Sequence, residues 1–453
     1  MALQSGMRAR LLDRAGRPAA PTTTVADRIP AGWRLALLAA GAAVLLTRGW
    51  ARIAHPTLWA EDGQVFLAAA YQHPLQSVLE PYRGYLHVLP RLLASLAGPL
   101  PLTWLPTAYA LGAVGTVLAI DAVVLSDRMR WLLPRRWQPP LAFALLVLLP
   151  AAEEPYANLA NLIFHAGLAL LLLALCEDPG RRGARWAELA ALAVLGLSGP
   201  FALLVLPAFA ARWWRLRSGH SARALAVVAA AGVLQWAILL TTPRADTPHL
   251  AAADLPRFVG RNVVGTWLFG DRWAPPWTVA NTAAVLVWLA AFAVVTWRWA
   301  ALGPLLSVLA AIGGALLAWG FFLVHPYSGQ RHVLVPLAMI AVLLVAGLAD
   351  RADRTGQADE ADGTDRTGQA DGADRTDRTD RAGWAGWAGW RRVLAAGCLL
   401  AGLGGIVRDA AIRPVPFRPI GPLADCLSAG QPRCSVQVNP PGARWRVTLE
   451  PRR

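Results

Sequence analysis

Two adjacent carboxylates, Glu61 and Asp62, directly follow the first apolar run of this chain. Neighbouring acids at the mouth of a membrane span are costly unless they meet water or a ligand, so their presence indicates a functional site. A carboxylate within hydrogen-bond reach of a hydroxyl can take its proton. We therefore predict that Asp62 acts as a general base. Glu61 is expected to assist it or to bind a divalent cation, Mg²⁺ or Mn²⁺.

The same polar segment carries aromatic and basic side chains downstream of the acids. They are Tyr82, Arg83, Tyr85, His87 and Arg91. Because the chain contains no lysine, a bound phosphate must be held by arginine guanidinium groups, histidines or backbone amides. Carboxylates, tyrosines and arginines together predict a site for a substrate that bears phosphate and hydroxyl groups.

Two later polar groups supply further candidates for substrate binding. Asn161 and His165 share a helix face by their spacing, although hydrogen bonding between helices would explain them equally well. Arg331 and His332 begin a late apolar run, where the alternative for the arginine is a side chain that snorkels to the interface. We expect Asp62 and Arg331 to meet if the spans bring the outside loops together.

The composition indicates a membrane protein. Of the 453 residues, 56% are hydrophobic and only 16% are charged, and the apolar residues come in long runs. The formal net charge of +15 does not indicate nucleic-acid binding, because the arginines lie mostly in short links between apolar runs, as in the positive-inside pattern. No phosphate-binding loop, nucleophile-elbow motif or zinc-spaced Cys/His set is present.

The apolar runs predict an all-α polytopic membrane protein with about eleven transmembrane helices. The predicted spans are 35–50, 103–125, 139–151, 159–176, 186–197, 200–212, 222–240, 279–298, 302–324, 332–349 and 391–408. Links with arginine clusters are expected in the cytoplasm, and links rich in acids, proline and aromatics outside. This makes residues 1–34 a cytoplasmic leader that precedes a signal-anchor. The catalytic bundle is then 35–349, with an outside loop at 51–102.

The segment 186–212 has two interpretations. Ser198-Gly199-Pro200 lies at its centre, and proline breaks a helix interior. The arginine pattern favours a hairpin of two short helices whose tip reaches an outward-facing cavity. The alternative is one helix with a proline kink, which would reverse the orientation of every later span.

The last hundred residues differ in composition from the bundle. Residues 350–390 repeat Asp, Arg, Thr and Gly and end in Gly-Trp-Ala units, which predicts a disordered cytoplasmic linker before the span 391–408. Residues 409–453 should form a small extracytoplasmic tail, with a β-hairpin around Pro440-Pro441-Gly442. A disulfide between Cys426 and Cys434 fits such a tail, and two free thiols are the alternative.

The layout resembles the C-type glycosyltransferases, a superfamily of integral membrane enzymes that use polyprenyl-phosphate sugars. The likeness lies in Glu61-Asp62-Gly63-Gln64 after the first span and in the segment Tyr82–Leu92 that follows. It extends to Ser198-Gly199-Pro200-Phe201 and to Gln330-Arg331-His332. The resemblance implies a bacterial member, with an acidic residue of the first loop as the base. The absence of lysine indicates a GC-rich, actinobacterial source.

The resulting hypothesis is a hexosyl- or pentosyltransferase in the plasma membrane of a bacterium, with multiple membrane passes. It would move a sugar with inversion from a polyprenyl-phosphate donor to a lipid or glycan acceptor of the cell envelope, at the outer face. The expected partners are that donor, the acceptor and membrane lipids, without nucleic acid. The alternative is a polytopic transporter or lipid flippase, in which membrane-embedded acids are equally expected.

Overall fold

Helices dominate the computed structural model, which describes residues 29–150, 153–242, 259–270, 278–300, 330–348, 374–440 and 445–451. The α-helices are α1 Ala31–Arg48, α2 Trp50–Ala54, α3 Ala68–Gln72, α4 Val88–Ala97, α5 Leu105–Asp121, α6 Gln138–Val147, α7 Leu162–Leu175, α8 Arg182–Gly196, α9 Phe201–Leu216, α10 Gly219–Thr241, α11 Thr266–Phe269, α12 Val279–Ala300, α13 Leu334–Gly347, α14 Asp374–Arg408 and α15 Gly421–Ser428. Two π-helices, Asp62–Leu67 and Val259–Gly265, and two strands, β1 Cys434–Gln437 and β2 Arg446–Leu449, complete the main elements.

Five helical segments are long and apolar enough to cross a membrane. They are Ala31–Arg48, Leu102–Leu125, Gly219–Thr241, Val279–Thr296 and Gly389–Arg408. A helix rises about 1.5 Å per residue, so roughly 20 apolar residues cover the hydrocarbon core. The prediction of an all-α, multi-pass membrane protein is confirmed. The predicted span 302–324 lies outside the described residues, and the total of eleven spans stays a prediction.

The chain reverses direction at Ser198-Gly199-Pro200, between α8 and α9. Glu188, two turns before the end of α8, forms an ion pair with Arg212 near the end of α9, with the Arg212 Nη1–Glu188 Oε1 distance at 2.7 Å. Residues on opposite sides of the break can meet this way only if the two helices run back alongside each other. Gly199 supplies the turn with a φ of +106°, a conformation that side chains oppose. The geometry is that of the hairpin and not of a single kinked helix.

A cluster of buried charges closes the end of the bundle opposite this tip, which we call the arginine end. Glu188 pairs with Arg128, Arg212 and, at 3.3 Å, with His220. Arg212, which is fully buried, also pairs with Asp178 at 2.9 Å. Buried charges are tolerated when they are paired in this way. The cluster joins α8, α9 and α10 to the links that the sequence assigned to the cytoplasm.

The C-terminal tail folds as a small unit at the other end of the bundle, which we call the acid end. A disulfide joins Cys426 in α15 to Cys434 in β1, with the Cα atoms 5.8 Å apart. The strands pair antiparallel, with Cys434 opposite Leu449, in the hairpin that the alternating pattern predicts. Val447 and Leu449 are fully buried in a core shared with the π-helix Asp62–Leu67. The tail therefore packs directly behind the acidic motif.

Helix α14 begins earlier than the sequence analysis expected. It starts at Asp374, so residues 374–390 are helical where a disordered linker was predicted, while 349–373 lie outside the described residues. The Asp-Arg-Thr repeat explains the difference. It places aspartate four residues before arginine at 374/378 and at 377/381, the order of charges that favours a helix.

Candidate active site

The backbone of the acidic motif is held by the C-terminal tail. Trp59 and Asn439 form a parallel β-bridge, in which the Asn439 N–H donates to the Leu58 carbonyl at 3.1 Å and the Asn439 carbonyl accepts from the Ala60 N–H. The Asn439 side chain, fully buried, donates to the Thr57 hydroxyl at 3.2 Å. A residue in the tail thus fixes the chain that leads into Glu61 and Asp62.

Asp62 lies behind the motif rather than at its surface. It is 2% exposed. Its Oδ1 accepts the Ala160 N–H at 2.7 Å, and its Oδ2 accepts the Leu159 N–H at 3.3 Å. Burial raises the pKa of Asp62 to about 8, although the hydrogen bond from Ala160 opposes this shift. Both oxygens are therefore engaged in holding the 159–160 loop against the acidic motif.

Glu61, which directly precedes Asp62 in the sequence, has different surroundings from Asp62. Its side chain is partly exposed, and it makes no hydrogen bond or ion pair to any residue within the described ranges. Its negative charge raises the pKa of both Arg83 and Tyr85, so the carboxylate lies within electrostatic range of both side chains. Glu61 is the acid of the pair whose oxygens are open to a substrate.

A tight turn presents Tyr82, Arg83 and Tyr85 next to Glu61. Tyr82 and Tyr85 form an antiparallel bridge, and Arg83 and Gly84 between them have φ values of 50° and 88°, as a two-residue hairpin turn requires. Arg83 Nε donates to the Tyr82 hydroxyl at 3.1 Å. This hydrogen bond raises the pKa of Arg83, and the Glu61 carboxylate acts in the same direction.

His87 and Arg91 support this turn from beneath. The His87 ring is buried among Tyr85, at 4.6 Å between centroids, and Tyr82 and Phe66, both at 5.7 Å. Burial lowers the pKa of His87 to about 3, and the nearby Arg91 charge adds to this effect, so the ring is neutral. Arg91 Nη1 pairs with Glu80 at 3.2 Å. The structure gives both predicted binding residues contacts within the protein.

Arg331 reaches the same area from the start of α13. Its Nη1 forms an ion pair with Glu154 Oε1 at 3.0 Å, and its guanidinium lies 6.0 Å from the Phe164 ring centroid. His332 packs edge-on against Phe164 at 5.1 Å. Burial raises the pKa of the Tyr85 hydroxyl to about 12, while the Arg331 charge opposes this shift and the Glu61 charge reinforces it. Arg331 therefore lies within electrostatic range of Tyr85, and its ion pair is with Glu154 rather than with Asp62.

Asn161 and His165 lie deeper in the bundle. The Asn161 Nδ2 donates to the Asn158 side-chain oxygen at 2.9 Å, which shapes the loop that contacts Asp62. The His165 Nδ1 lies 3.5 Å from the Asn161 carbonyl. His165 lines a small cavity of about 30 Å³ between α1, α5 and α7. Both side chains are buried, so the structure places them under the site and not in its opening.

The arrangement brings one open carboxylate, two tyrosines and two arginines together. The described residues contain no group of three or more His, Cys, Asp and Glu side chains arranged to hold a metal ion. Glu61 and Asp62 do not fit a divalent cation as a pair, because both Asp62 oxygens accept backbone N–H groups. The geometry can take a proton at Glu61 and stabilise negative charge near Arg83 and Arg331.

Three residues outside the predicted set of site residues contribute to the site. Glu154 pairs with Arg331, Asn439 holds the acidic motif, and Gln235 bonds to the chain after Tyr85. Gln235 carried a signal, since it is a lone amide within the apolar helix α10. Asn439 carried none, because its partner is more than three hundred residues away along the chain.

Comparisons with known proteins found similarity to two solved structures of one protein. No protein-family model matches the chain, and no curated protein matches it. ArnT from Cupriavidus metallidurans in the apo state is similar, with 16% identity over 84% of this chain and 76% of that chain, at a TM-score of 0.40. ArnT from the same organism bound to undecaprenyl phosphate has 14% identity over the same shares, at a TM-score of 0.38.

Proposed function

We propose that this protein is a glycosyltransferase that moves a sugar from a polyprenyl-phosphate donor to a hydroxyl of a cell-envelope acceptor, with the acid end facing outside. The observation that carries the proposal is that the partly exposed Glu61 carboxylate lies within electrostatic range of Arg83 and Tyr85, and that Tyr85 also feels the charge of Arg331, at one end of a multi-pass helical bundle. A base beside two phosphate-binding cations is what displacement of a phosphate from a sugar carbon requires.

The reaction follows from these groups. A carboxylate takes the proton of the acceptor hydroxyl, whose oxygen forms a bond to the anomeric carbon. The bond from that carbon to the phosphate oxygen breaks, with inversion, and the electron pair leaves with the lipid phosphate. Arg83 and Arg331 stabilise the negative charge that develops on the phosphate. The lipid chain of the donor lies in the membrane, next to the spans that carry the site.

Glu61 is the better placed base of the two acids. Asp62 is buried, its oxygens accept backbone N–H groups, and its raised pKa favours the protonated form at neutral pH. Glu61 is partly exposed and faces Arg83. The sequence analysis assigned the proton transfer to Asp62. The proposal assigns it to Glu61 and gives Asp62 the role of fixing the motif against the 159–160 loop.

The proposal rests on these side chains, because a fold likeness at a TM-score of 0.38 identifies no substrate. The solved structure with undecaprenyl phosphate concerns ArnT, and that lipid is of the class that leaves when a polyprenyl-phosphate donor gives up its sugar. No metal step is included, since the acid pair offers one free carboxylate. A contribution of Mg²⁺ or Mn²⁺ is tested by measuring the transfer rate in the same assay with and without a chelator.

The test is sugar transfer by the purified protein in lipid nanodiscs, with radiolabelled polyprenyl-phosphate hexoses and pentoses and an envelope lipid extract as acceptor. Glu61→Gln should lower the transfer rate by about 100-fold or more, the contribution expected of a general base. The matched control is Glu450→Gln, which removes an exposed carboxylate of the tail and should leave the rate unchanged.

Two results would contradict the proposal. Full activity of Glu61→Gln together with loss in Asp62→Asn, at an unchanged melting temperature, would return the base to Asp62. Absence of transfer from every donor, with movement of labelled lipid across the bilayer of proteoliposomes, would identify a transporter or lipid flippase instead.

A further inference from the structure

The tip of the α8–α9 hairpin is joined to the segment 86–89, which follows the Tyr82–Tyr85 turn. The Val88 N–H donates to the Leu197 carbonyl at 3.2 Å. The Leu89 N–H donates to the Ser198 hydroxyl at 2.7 Å, and Ser198 is fully buried. A short backbone ladder thus ties the reactive loop to a tip that lies between two helices of the bundle.

Gln235 of α10 completes this connection with its side-chain amide. Its Oε1 accepts the Leu86 N–H at 2.8 Å, and its Nε2 donates to the Leu86 carbonyl at 3.2 Å. The same Nε2 donates to the Gly199 carbonyl at 3.1 Å. Gln235 is 1% exposed. The Leu86 carbonyl also accepts the Gly199 N–H at 3.0 Å. Gln235 is therefore the acceptor for the Leu86 N–H and a second donor to its carbonyl, and it links both to the hairpin tip.

The position of Leu86 explains why this matters for the site. It immediately follows Tyr85 and lies three residues after Arg83, so a fixed Leu86 backbone fixes the end of the turn that presents both. Without the amide the buried Leu86 N–H would lose its acceptor, and a buried N–H without an acceptor is destabilising. Loss of the amide would therefore favour a loop that moves away from the bundle toward water.

We propose that Gln235 is a positioning residue for sugar transfer. It holds the turn with Arg83 and Tyr85 in place relative to Glu61 through the Leu86 backbone, and this role rests on the proposed function. It touches neither substrate nor the reacting atoms. Its effect should appear in the turnover of bound substrate, because a catalytic group displaced by about an ångström can cost 100-fold in rate.

The test compares Gln235→Leu, which keeps similar volume but removes the amide, with Gln235→Glu, which keeps an acceptor for the Leu86 N–H. The matched control is Leu234→Ala, one residue earlier on α10, where the side chain is 46% exposed on the outer surface of the bundle. Two quantities are measured in nanodiscs: hydrogen–deuterium exchange of peptides that cover 84–90, and kcat and KM for the polyprenyl-phosphate sugar.

In Gln235→Leu, exchange should rise in 84–90 and at the 197–199 tip, with the arginine end unchanged, and kcat should fall about tenfold or more at nearly constant KM. Gln235→Glu should recover part of both losses, and the control should match the unsubstituted protein. Unchanged exchange in 84–90, or a rise spread over the whole bundle, would overturn the positioning role. The exchange result stands independently of catalysis, so an absence of transfer by the unsubstituted protein would refute the proposed function alone.

Discussion

At the scale of single residues, the two acids of the motif show how neighbours in sequence acquire different chemistry. Glu61 is partly exposed and lies within electrostatic range of Arg83, whereas Asp62 is buried and accepts two backbone N–H groups. The sequence could place an acidic site here, because adjacent carboxylates beside an apolar run are costly. It could not say which acid faces the substrate, since that depends on the 159–160 loop nearly one hundred residues away.

The buried Asp62 predicts a dependence of stability on pH. Its pKa rises from an ordinary value of 3.8 to about 8 because burial disfavours the charged form. Between these two values the folded state binds more protons than the unfolded state, so the free energy of unfolding should fall as the pH rises. Thermal unfolding in detergent should show a melting temperature that decreases from pH 5 to pH 8.

The control for this prediction is Asp62→Asn, which cannot titrate. It should unfold at a lower temperature than the unsubstituted protein at pH 5, because an amide meets the second backbone N–H with a donor instead of an acceptor. Its melting temperature should also vary less between pH 5 and pH 8. An equal pH dependence in both proteins would assign the effect to another group.

At the scale of elements, hydropathy and charge placement predicted most of what the structure contains. The spans follow from apolar runs, and the hairpin at Ser198-Gly199-Pro200 from arginines on both sides of a proline. The early start of α14 was missed because the sequence analysis considered the composition of 350–390 but not the spacing between its acidic and basic residues. The π-helix Asp62–Leu67 was also missed, because the sequence analysis treated all of 51–102 as an outside loop.

The tail is the element whose role was hardest to foresee. Its hairpin and its disulfide were expected from local pattern, but its contact with the acidic motif depends on Asn439 meeting Leu58 and Ala60. Such a contact arises only when the last span returns the chain to the acid end. The tail therefore belongs to the candidate active site, and its integrity should matter for activity.

This role predicts that the bond between Cys426 and Cys434 supports transfer. In a background with Cys176 and Cys398 replaced by serine, maleimide-polymer labelling should detect no thiol until a reductant is added. Replacement of both tail cysteines should lower the melting temperature, since closing such a short loop contributes about 2–3 kcal/mol, and should lower transfer as Asn439 loosens. Two labelled thiols without reductant, or full activity after reduction, would contradict the prediction.

At the scale of the whole molecule, the polar residues are divided between two ends. The arginine end gathers Arg128, Glu188 and Arg212 in paired contacts, in which Glu188 and Arg212 are buried. The acid end carries Glu61, the tyrosine turn, the hairpin tip and the tail. An enzyme that acts at one membrane face needs this kind of division, with paired charges where structure is required and open charges where substrate binds.

The segment between α13 and α14 provides a test of which end faces the cytoplasm. Gln138 Nε2 donates to the Val345 carbonyl at 2.7 Å, and Gln138 follows Arg135 and Arg136, so α13 ends at the arginine end. At the far end of α14, the Arg48 side chain donates to the Ala410 carbonyl at 3.0 Å, close to the acidic motif. The linker that precedes α14 should therefore lie at the arginine end, which the positive-inside pattern assigns to the cytoplasm.

A protease site inserted near residue 360 should be cut when the protease is added to inverted membrane vesicles and spared in sealed right-side-out vesicles. The same site inserted after Gly430, in an exposed turn of the tail, is the matched control and should show the opposite result. Insertion at either place should leave transfer nearly unchanged, because the repeats around 360 lack the apolar residues of a core and Gly430 lies in an exposed turn. Cleavage near 360 from the outside would place the acid end in the cytoplasm, where the tail disulfide would be reduced. It would then refute transfer at the outer face while leaving the geometry of the site intact.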